Sequence, residues 1–438
     1  MHFFFLVILF VLCVSMFVVS RQSKIGLLLL AGICIYEYSL PTSIGSCVVI
    51  MPLCFFLSEI FTLKKIVRAC SIHKSILFYF LVIGIVYVFY SISISPYLQQ
   101  GYAPFSFCIT TVVRYMLPFV ALICINKKDD VKIIFDILFV GILIMTGFAV
   151  TNLILHHSHY VDWLLDGKKV ADYMQDAGGM YNQADRFRVQ ATFHNPFDYG
   201  YSCIACLLFF WFGFLKKIVS PTRLLAVIGC TVFGILFCSC RTVLICSIFV
   251  FMLFFFLTNK LIRLVGISVI LILLLTLVSC ITPFILDKFE FILSAFDSES
   301  NVRGSSVEMR TTQLAAVLFF IRGYELFGRG IGFFMYDLGW ENGREGVSGT
   351  GLYGLEGSYL ETLLETGIIG TCFYFSIIIM ILIWSITHRH IDTAASSLLF
   401  SLLFLFLIFG LMTGELRSAY ITFLLSGIAF NFLIKKST

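Results

Sequence analysis

The chain has 438 residues, of which 60% are hydrophobic and only 13% are charged, and its formal net charge is +5. Soluble domains contain roughly 25% charged residues, so this composition and a mean hydropathy of +0.99 exclude a soluble protein and indicate a polytopic membrane protein. The small positive charge indicates basic cytoplasmic loops and not a nucleic-acid-binding surface, so we expect no nucleic-acid partner.

Apolar stretches of about 20 residues, the length that crosses a bilayer, recur along the whole chain. They predict one all-α integral membrane domain over 1–438, with about 12 to 14 transmembrane helices. The first stretch lacks a basic n-region, which favours a retained span over a cleaved signal peptide. The predicted spans lie near 2–20, 25–40, 43–63, 75–95, 105–125, 133–155, 196–215, 221–239, 242–258, 264–284, 367–387, 394–412 and 418–434.

The basic residues between spans fall on alternate loops, which the positive-inside rule assigns to the cytoplasm. They are Arg21, Lys24, Lys64, Lys65, Arg68, Lys74, Lys127, Lys128, Lys132, Lys216, Lys217, Arg223, Lys260, Arg263, Arg389, Lys435 and Lys436. The opposite loop 96–104 contains no Lys or Arg. Two long polar segments, 156–195 and 285–357, then lie outside, periplasmic in a Gram-negative cell, and are predicted to form an outer cap.

Neither cysteines nor histidines indicate a metal site. The 15 cysteines avoid both long polar segments, and the Cys203-x-x-Cys206 pair lies inside a predicted span, where helix packing is the favoured interpretation. Segment 156–195 begins with a histidine cluster, His156 to His159, followed by scattered aspartates. This order matches no metal-ligand spacing and favours a solvated loop, so we predict no metal and no cofactor.

The segment 285–357 has three parts. Residues 287–300 have the apolar spacing of a helix on the membrane surface. Residues 307–324 predict a second helix with one apolar face, formed by Leu314, Val317, Leu318 and Ile321. The glycine-rich stretch 328–357 predicts a close-fitting loop, and a floppy outer loop is the alternative.

Charged residues collect where the chain reaches the outer membrane face. Arg188 precedes one span, Arg241 lies at an outer turn, Arg310 begins the predicted helix, and Glu356 and Glu361 flank another span. Charges this close to hydrocarbon are costly, and an arginine fork pairs well with phosphate oxygens. The set predicts a site for a lipid-linked phosphate or pyrophosphate with a base beside it, and simple contacts with lipid headgroups are the alternative.

Four motifs carry a resemblance to a known family. The run RVQATFHNPF from Arg188 resembles R-x-x-G-T-F-x-N-P-N, with Ala191 for Gly and Phe197 for the second Asn. The run SCRT from Ser239 resembles S-R-S or S-R-T, and Arg310 with GRGIGFF from 328 resembles R…G-x-G-x-F. The run SYLETLLETGIIG from 358 resembles H-N-x-Y-L…G-I-x-G. Over about 185–385 the chain therefore resembles the O-antigen polymerase and O-antigen ligase family.

The resemblance implies a metal-independent glycosyltransferase in the bacterial inner membrane, with its active site facing the periplasm. Its donor would be an oligosaccharide on undecaprenyl pyrophosphate, and its partners would be membrane lipid, a chain-length regulator and a flippase. Arg188 and Arg241 would hold the pyrophosphate, with Arg310 supporting the second phosphate or closing the outer cap. The motif positions His194, Asn195 and Tyr359 are predicted to contact the substrate, together with Glu361.

One departure from the motifs bears on the reaction. Ligase-like members have His-Asn before Tyr-Leu, and this chain has Glu356-Gly357. The missing histidine favours a polymerase that joins repeat units of O-antigen, capsule or exopolysaccharide over a ligase that transfers polymer to lipid A-core. Glu356 is then the predicted base, with His194 and Glu361 as alternatives. A transporter or flippase is the third hypothesis, although transporters place charges at the bilayer midplane.

Overall fold

The structure is a computed structural model. It describes residues 2–35, 47–59, 76–97, 107–114, 117–118, 125, 128–158, 160, 188–193, 195–258, 307–338, 352, 355, 357–413 and 418–435. The predicted span at 264–284, the predicted surface helix at 287–300 and most of the outer segment 156–195 lie outside these residues.

The described residues are almost entirely helical and include no strand, so the predicted all-α fold is confirmed. The helices are α1 (His2–Val18), α2 (Arg21–Cys34), α3 (Cys47–Ser58), α4 (Ile76–Ser93), α5 (Lys128–Leu155), α6 (Pro196–Leu215), α7 (Pro221–Phe237), α8 (Arg241–Leu257), α9 (Val307–Phe320), α10 (Phe333–Tyr336), α11 (Ser358–Thr387), α12 (Thr393–Met412) and α13 (Ala419–Lys435). Residues 107–114 are also helical.

Four helices are long and apolar enough to cross a membrane, namely Asp130–Leu155 in α5 and the whole of α6, α11 and α12. Shorter apolar helices accompany them, as expected for a polytopic membrane protein. Burial differs sharply among the four, because 83% of the apolar window of α6 is buried but only 39% of that of α5. Helix α6 is therefore central, and α5 lies at the periphery of the bundle.

Helix α6 packs against α7, α8, α12 and α13, and its aromatic side chains fill the core between them. Phe209 stacks on Phe135 of α5 with ring centroids 4.3 Å apart. The hydroxyl of Tyr201 donates a hydrogen bond to Thr422 Oγ1 of α13 at 2.7 Å. Close packing and one satisfied buried polar contact thus hold α6 between its neighbours.

Ion pairs join helices at one end of the bundle, called here the basic end. Lys216 at the end of α6 pairs with buried Asp392, which also caps α12 by accepting from Ala395 N at 3.1 Å. Lys24 Nζ lies 2.7 Å from Glu59 Oε1, and both side chains are buried. Lys24 and Lys216, which the sequence assigns to the cytoplasmic side, therefore meet carboxylates there, which lowers the cost of burying their charge.

Helix α11 begins at Ser358, nine residues before the predicted span at 367–387, and a break separates these first residues from the predicted span. The break is at Gly367, whose backbone (φ 66°, ψ −171°) is not helical. Residues 325–330 fill the break, because Arg329 N and Gly330 N donate to the carbonyls of Leu364 and Glu365 at 2.8 Å. The backbone groups freed by the break are thereby satisfied.

The predicted helix at 307–324 is confirmed as α9, but its buried face differs from the predicted one. Gln313, Val317 and Ile321 are buried, whereas Leu314 and Leu318 are exposed. Apolar residues lie on more than one side of this helix, so apolar spacing alone did not identify the side that packs on α11.

Candidate functional site

The segment that follows Arg188 is fixed against the ends of two helices. Val189 N donates to Phe237 O at the end of α7 at 3.1 Å. Thr192 Oγ1 donates to Ile33 O near the end of α2 at 2.5 Å, and Thr192 is fully buried. The segment therefore lies at the end of the bundle opposite the basic end, called here the opposite end.

The turn in this segment uses left-handed backbone at Ala191, which has φ 51° and is fully buried. Phe193 N donates to Gln190 O at 2.9 Å and closes the turn. Glycine adopts this conformation at no steric cost, which gives a physical reason for the glycine that the resembling motif has at this position.

Helix α6 begins directly after this turn, and its first residues are tied to a second element. Asn195 caps α6 by accepting from Phe197 N at 2.7 Å, with Pro196 at the first helical position. Asp198, which is only 2% exposed, accepts from Ser418 N at 2.9 Å and from Ser418 Oγ at 2.5 Å. The predicted substrate contact Asn195 thus also has a structural role, and buried Asp198 is a residue that the sequence analysis did not single out.

Arg188 and Arg241 belong to chain segments that meet at the opposite end. The bond from Val189 N to Phe237 O joins the residue after Arg188 to the turn that leads into α8, of which Arg241 is the first residue. That turn also has left-handed backbone, at Ser239 with φ 51°. The side chain of Arg188 is half-buried, and its guanidinium forms no ion pair or hydrogen bond with any residue that the structure describes.

Arg310 lies on α9 and contacts the end of α12. Its Nη2 donates to Met412 O at 3.2 Å, and its Nη1 lies 2.9 Å from Met412 Sδ. Ser358 N, at the start of α11, donates to Thr413 O at 3.0 Å. The start of α9, the start of α11 and the last residues of α12 therefore meet at the opposite end of the bundle. The predicted convergence of Arg310 with the start of α11 requires this arrangement.

Tyr359 and Glu361 lie in the first turn of α11. The hydroxyl of Tyr359 donates to Leu407 O of α12 at 2.7 Å, and its ring lies 4.6 Å from that of Phe375. Gly410 admits this ring, because a Cβ there would lie 2.7 Å from the Tyr359 hydroxyl. Tyr359 therefore anchors α11 to α12, and Glu361 is half-buried beside it. Glu356 and His194, two of the candidate bases, lie outside the described residues.

Two charged residues that the sequence analysis did not single out, Glu365 and Arg329, hold the start of the glycine-rich segment through separate contacts. Glu365 Oε1 accepts from Gly332 N at 3.0 Å. Arg329 Nε donates to Phe320 O at 2.7 Å, and its guanidinium lies 3.9 Å from the centre of the Tyr324 ring. These contacts give residues 328–332 a fixed path, which confirms a close-fitting loop for this part of the stretch 328–357.

Tyr97, after the end of α4, packs against this segment. Burial, together with the hydrogen bond to Asp337, raises the pKa of the Tyr97 phenol well above its usual value. Its ring lies 5.7 Å from that of Tyr336. Tyr97 therefore links α4 to the segment after α9.

Residues 226–375 match the family model described as O-antigen ligase. The match contains Arg241, Arg310, Glu356 and Glu361 and confirms the resemblance to the O-antigen polymerase and ligase family. It supports a glycosyltransferase-like enzyme of the ligase and polymerase type. No curated protein matches the chain at a significant level.

Proposed function

We propose that this protein is a polymerase that joins lipid-linked oligosaccharide repeat units into a surface polysaccharide. The observation that carries the proposal is Arg188, a half-buried arginine whose guanidinium has no partner among the described residues. It lies on a fixed segment bonded to the turn that leads to Arg241. A cation so placed calls for an anion. The motif that begins at Arg188 favours a lipid-linked pyrophosphate as this anion over the phosphate of an ordinary phospholipid headgroup.

The donor in this proposal is an oligosaccharide on undecaprenyl pyrophosphate. Arg188 and Arg241 bind the pyrophosphate, and Arg310 supports it from the α9 side. Guanidinium groups supply fixed positive charge where negative charge develops as the sugar leaves, which is usually the largest contribution in transfer chemistry. The arginines can thus take the role that a divalent cation plays in other transferases, and the proposed reaction is metal-independent.

In the proposed reaction, a hydroxyl at the non-reducing end of the acceptor repeat attacks the anomeric carbon of the donor sugar. The new glycosidic bond forms as the bond from that carbon to the pyrophosphate oxygen breaks, and undecaprenyl pyrophosphate departs with the electron pair. A carboxylate takes the hydroxyl proton. Glu356 is our choice for this base, with Glu361 and His194 as alternatives, and the growing chain moves as a whole onto the new unit.

The orientation follows from the two ends of the bundle. The basic end, with Lys24, Lys216 and Arg223, is assigned to the cytoplasm by the positive-inside rule. The opposite end, with Arg188 and Arg310, then faces the periplasm if the protein lies in a bacterial inner membrane. A flippase that delivers the donor and a chain-length regulator are the protein partners that this reaction calls for.

The ligase is the second candidate, because the matching family model is itself described as O-antigen ligase. The replacement of the motif's His-Asn by Glu356-Gly357 supports the polymerase. The two activities leave different products in a strain that lacks the protein. Loss of a polymerase leaves single repeats, whereas loss of a ligase leaves long polymer on the carrier lipid and none on lipid A-core.

The test is an electrophoretic comparison of surface glycan from a deletion strain complemented with wild type, Arg188→Ala, Arg241→Ala or Arg223→Ala. Arg223 is a partly exposed arginine at the basic end and serves as the matched control. We expect a single short band in the deletion strain and in both site variants, and a ladder with wild type and Arg223→Ala. Polymer trapped on the carrier would establish the ligase, and a full ladder in both site variants would refute the proposal.

A further inference from the structure

We propose that the second half of α9 and the loop after it rest in the outer leaflet, so that this face docks onto phospholipid acyl chains. The chain leaves a run of large apolar side chains uncovered here. Phe319 is 62% exposed, Leu318 52% and Phe327 53%, and Leu314 and Leu326 are exposed as well. Apolar patches of this kind on a folded protein mark a surface that meets a partner or a membrane.

The polar residues of α9 lie at its other end. Thr311 and Thr312 are exposed near its start, and Arg310 contacts Met412 there. With a rise of about 1.5 Å per residue, Arg310 and Phe319 are about 14 Å apart along the helix. The helix therefore changes from a polar to an apolar exposed surface along its length, as expected if it enters the membrane surface at an angle.

Hydrogen bonds fix the position of the loop after α9 along the membrane-crossing helix α11. Ile368 N donates to Glu325 O at 2.9 Å, and Ile369 N donates to Leu326 O at 3.2 Å. Ile368 begins the apolar stretch of α11 and is itself 49% exposed. Leu326 and Phe327 thus lie at the level where α11 enters the apolar part of its span.

The exposed apolar surface continues onto a second helix. The hydroxyl of Tyr90 on α4 donates to Thr366 O at 3.0 Å, next to the broken part of α11. Its neighbour Phe89 is 69% exposed. The patch on α9 is therefore continuous with the lipid-facing sides of α4 and α11, and this continuity favours bilayer lipid over a soluble partner.

Two further side chains suit the boundary between lipid and water. Tyr324 is exposed between the two apolar groups, and tyrosine is enriched at membrane interfaces. The guanidinium of Arg322 lies 5.8 Å from the centre of the Phe319 ring. A long arginine side chain in this position can extend its charge to the lipid headgroups. Docked in this way, α9 would hold Arg310 close to headgroup depth, where a lipid-linked phosphate lies.

The test is photo-crosslinking of the full-length protein in vesicles of phosphatidylethanolamine and phosphatidylglycerol that contain a clickable acyl-chain phospholipid. Benzoylphenylalanine replaces Phe319 or Phe327, and the controls carry it at Thr311 or Thr312, two exposed polar positions near the start of α9. We expect at least tenfold more phospholipid adduct at Phe319 and Phe327 than at either control, and this result would support the proposal.

Three results would overturn it. Equal phospholipid adduct at all four positions would mean that this face has no preferred contact with lipid. Adducts at Phe319 and Phe327 to another segment of the chain or to a second copy would mean that protein covers the patch. Loss of the phospholipid adduct when undecaprenyl phosphate is added would mean a groove for the carrier lipid. Each crosslinker replaces an exposed side chain, so loss of the fold is not expected to obscure the result.

Discussion

Gly328 and Gly367 interlock at the break in α11, and each occupies space that the other leaves free. A Cβ on Gly328 would lie 2.5 Å from Gly367 N, and a Cβ on Gly367 would lie 2.5 Å from Gly328 N. Both residues also have left-handed backbone, with φ 75° and 66°. Two glycines, 39 positions apart in the chain, are thus required by one backbone contact that joins the loop after α9 to a membrane helix.

We expect Gly328→Ala and Gly367→Ala to destabilise the protein by about 3 kcal/mol or more, because each adds left-handed strain and a clash with backbone. Gly323→Ala is the matched control, since Gly323 has φ 80° but nothing within 4 Å of a Cβ. It should cost only about 1–2 kcal/mol. Thermal unfolding of the detergent-solubilised protein measures the difference, and equal losses in all three variants would contradict the interlock.

The turn at Ala191 leads to a second prediction. Ala191→Gly removes about 1–2 kcal/mol of left-handed strain but also about 0.8 kcal/mol of methyl burial, so the net change in stability should stay within about 1 kcal/mol. Ala191→Val adds a β-branched side chain at a fully buried position with φ 51° and should cost about 3 kcal/mol or more. Thermal unfolding checks both variants, and a tolerated valine would show that the turn rearranges readily.

The buried pair of Asp198 and Ser418 predicts strong thermodynamic coupling. Ser418→Ala removes one hydrogen bond to a buried carboxylate and should cost about 2 kcal/mol. Asp198→Ala removes both bonds and should cost about 3 kcal/mol or more. The double variant should then be little worse than Asp198→Ala alone, with a coupling energy of about 2 kcal/mol in a double-mutant cycle. Simple additivity would mean that the two side chains do not depend on each other.

Two ion pairs at the basic end should differ in their contribution to stability. Lys216→Met leaves the carboxylate of Asp392, whose side chain is 2% exposed, buried without that cation, which should cost about 3–5 kcal/mol. Arg223→Met breaks a pair whose side chains are 33% and 44% exposed and should cost less than about 1 kcal/mol. Unfolding temperatures of the two variants test this order, and a reversed order would refute it.

Part of the candidate site followed from the sequence. The motif from Arg188 and the turn before Arg241 could be found as patterns of residues, and the bond between Val189 and Phe237 joins their segments. Asp198 and Glu365 were not found, because a lone carboxylate near a helix start has no distinctive spacing. Asp198 binds Ser418, which lies 220 positions away in the chain. Glu365 binds Gly332, which belongs to the loop after α9.

Composition and the spacing of apolar stretches determined that the protein is an all-α membrane protein, because hydrocarbon admits only helices long enough to cross it or closed barrels. The alternation of basic loops likewise predicted which helix ends lie together. Only the tertiary structure decided that α11 starts at Ser358, that Leu314 and Leu318 are exposed, and that Gly328 meets Gly367. Such features depend on which surfaces pack together, and packing joins residues that local sequence patterns do not connect.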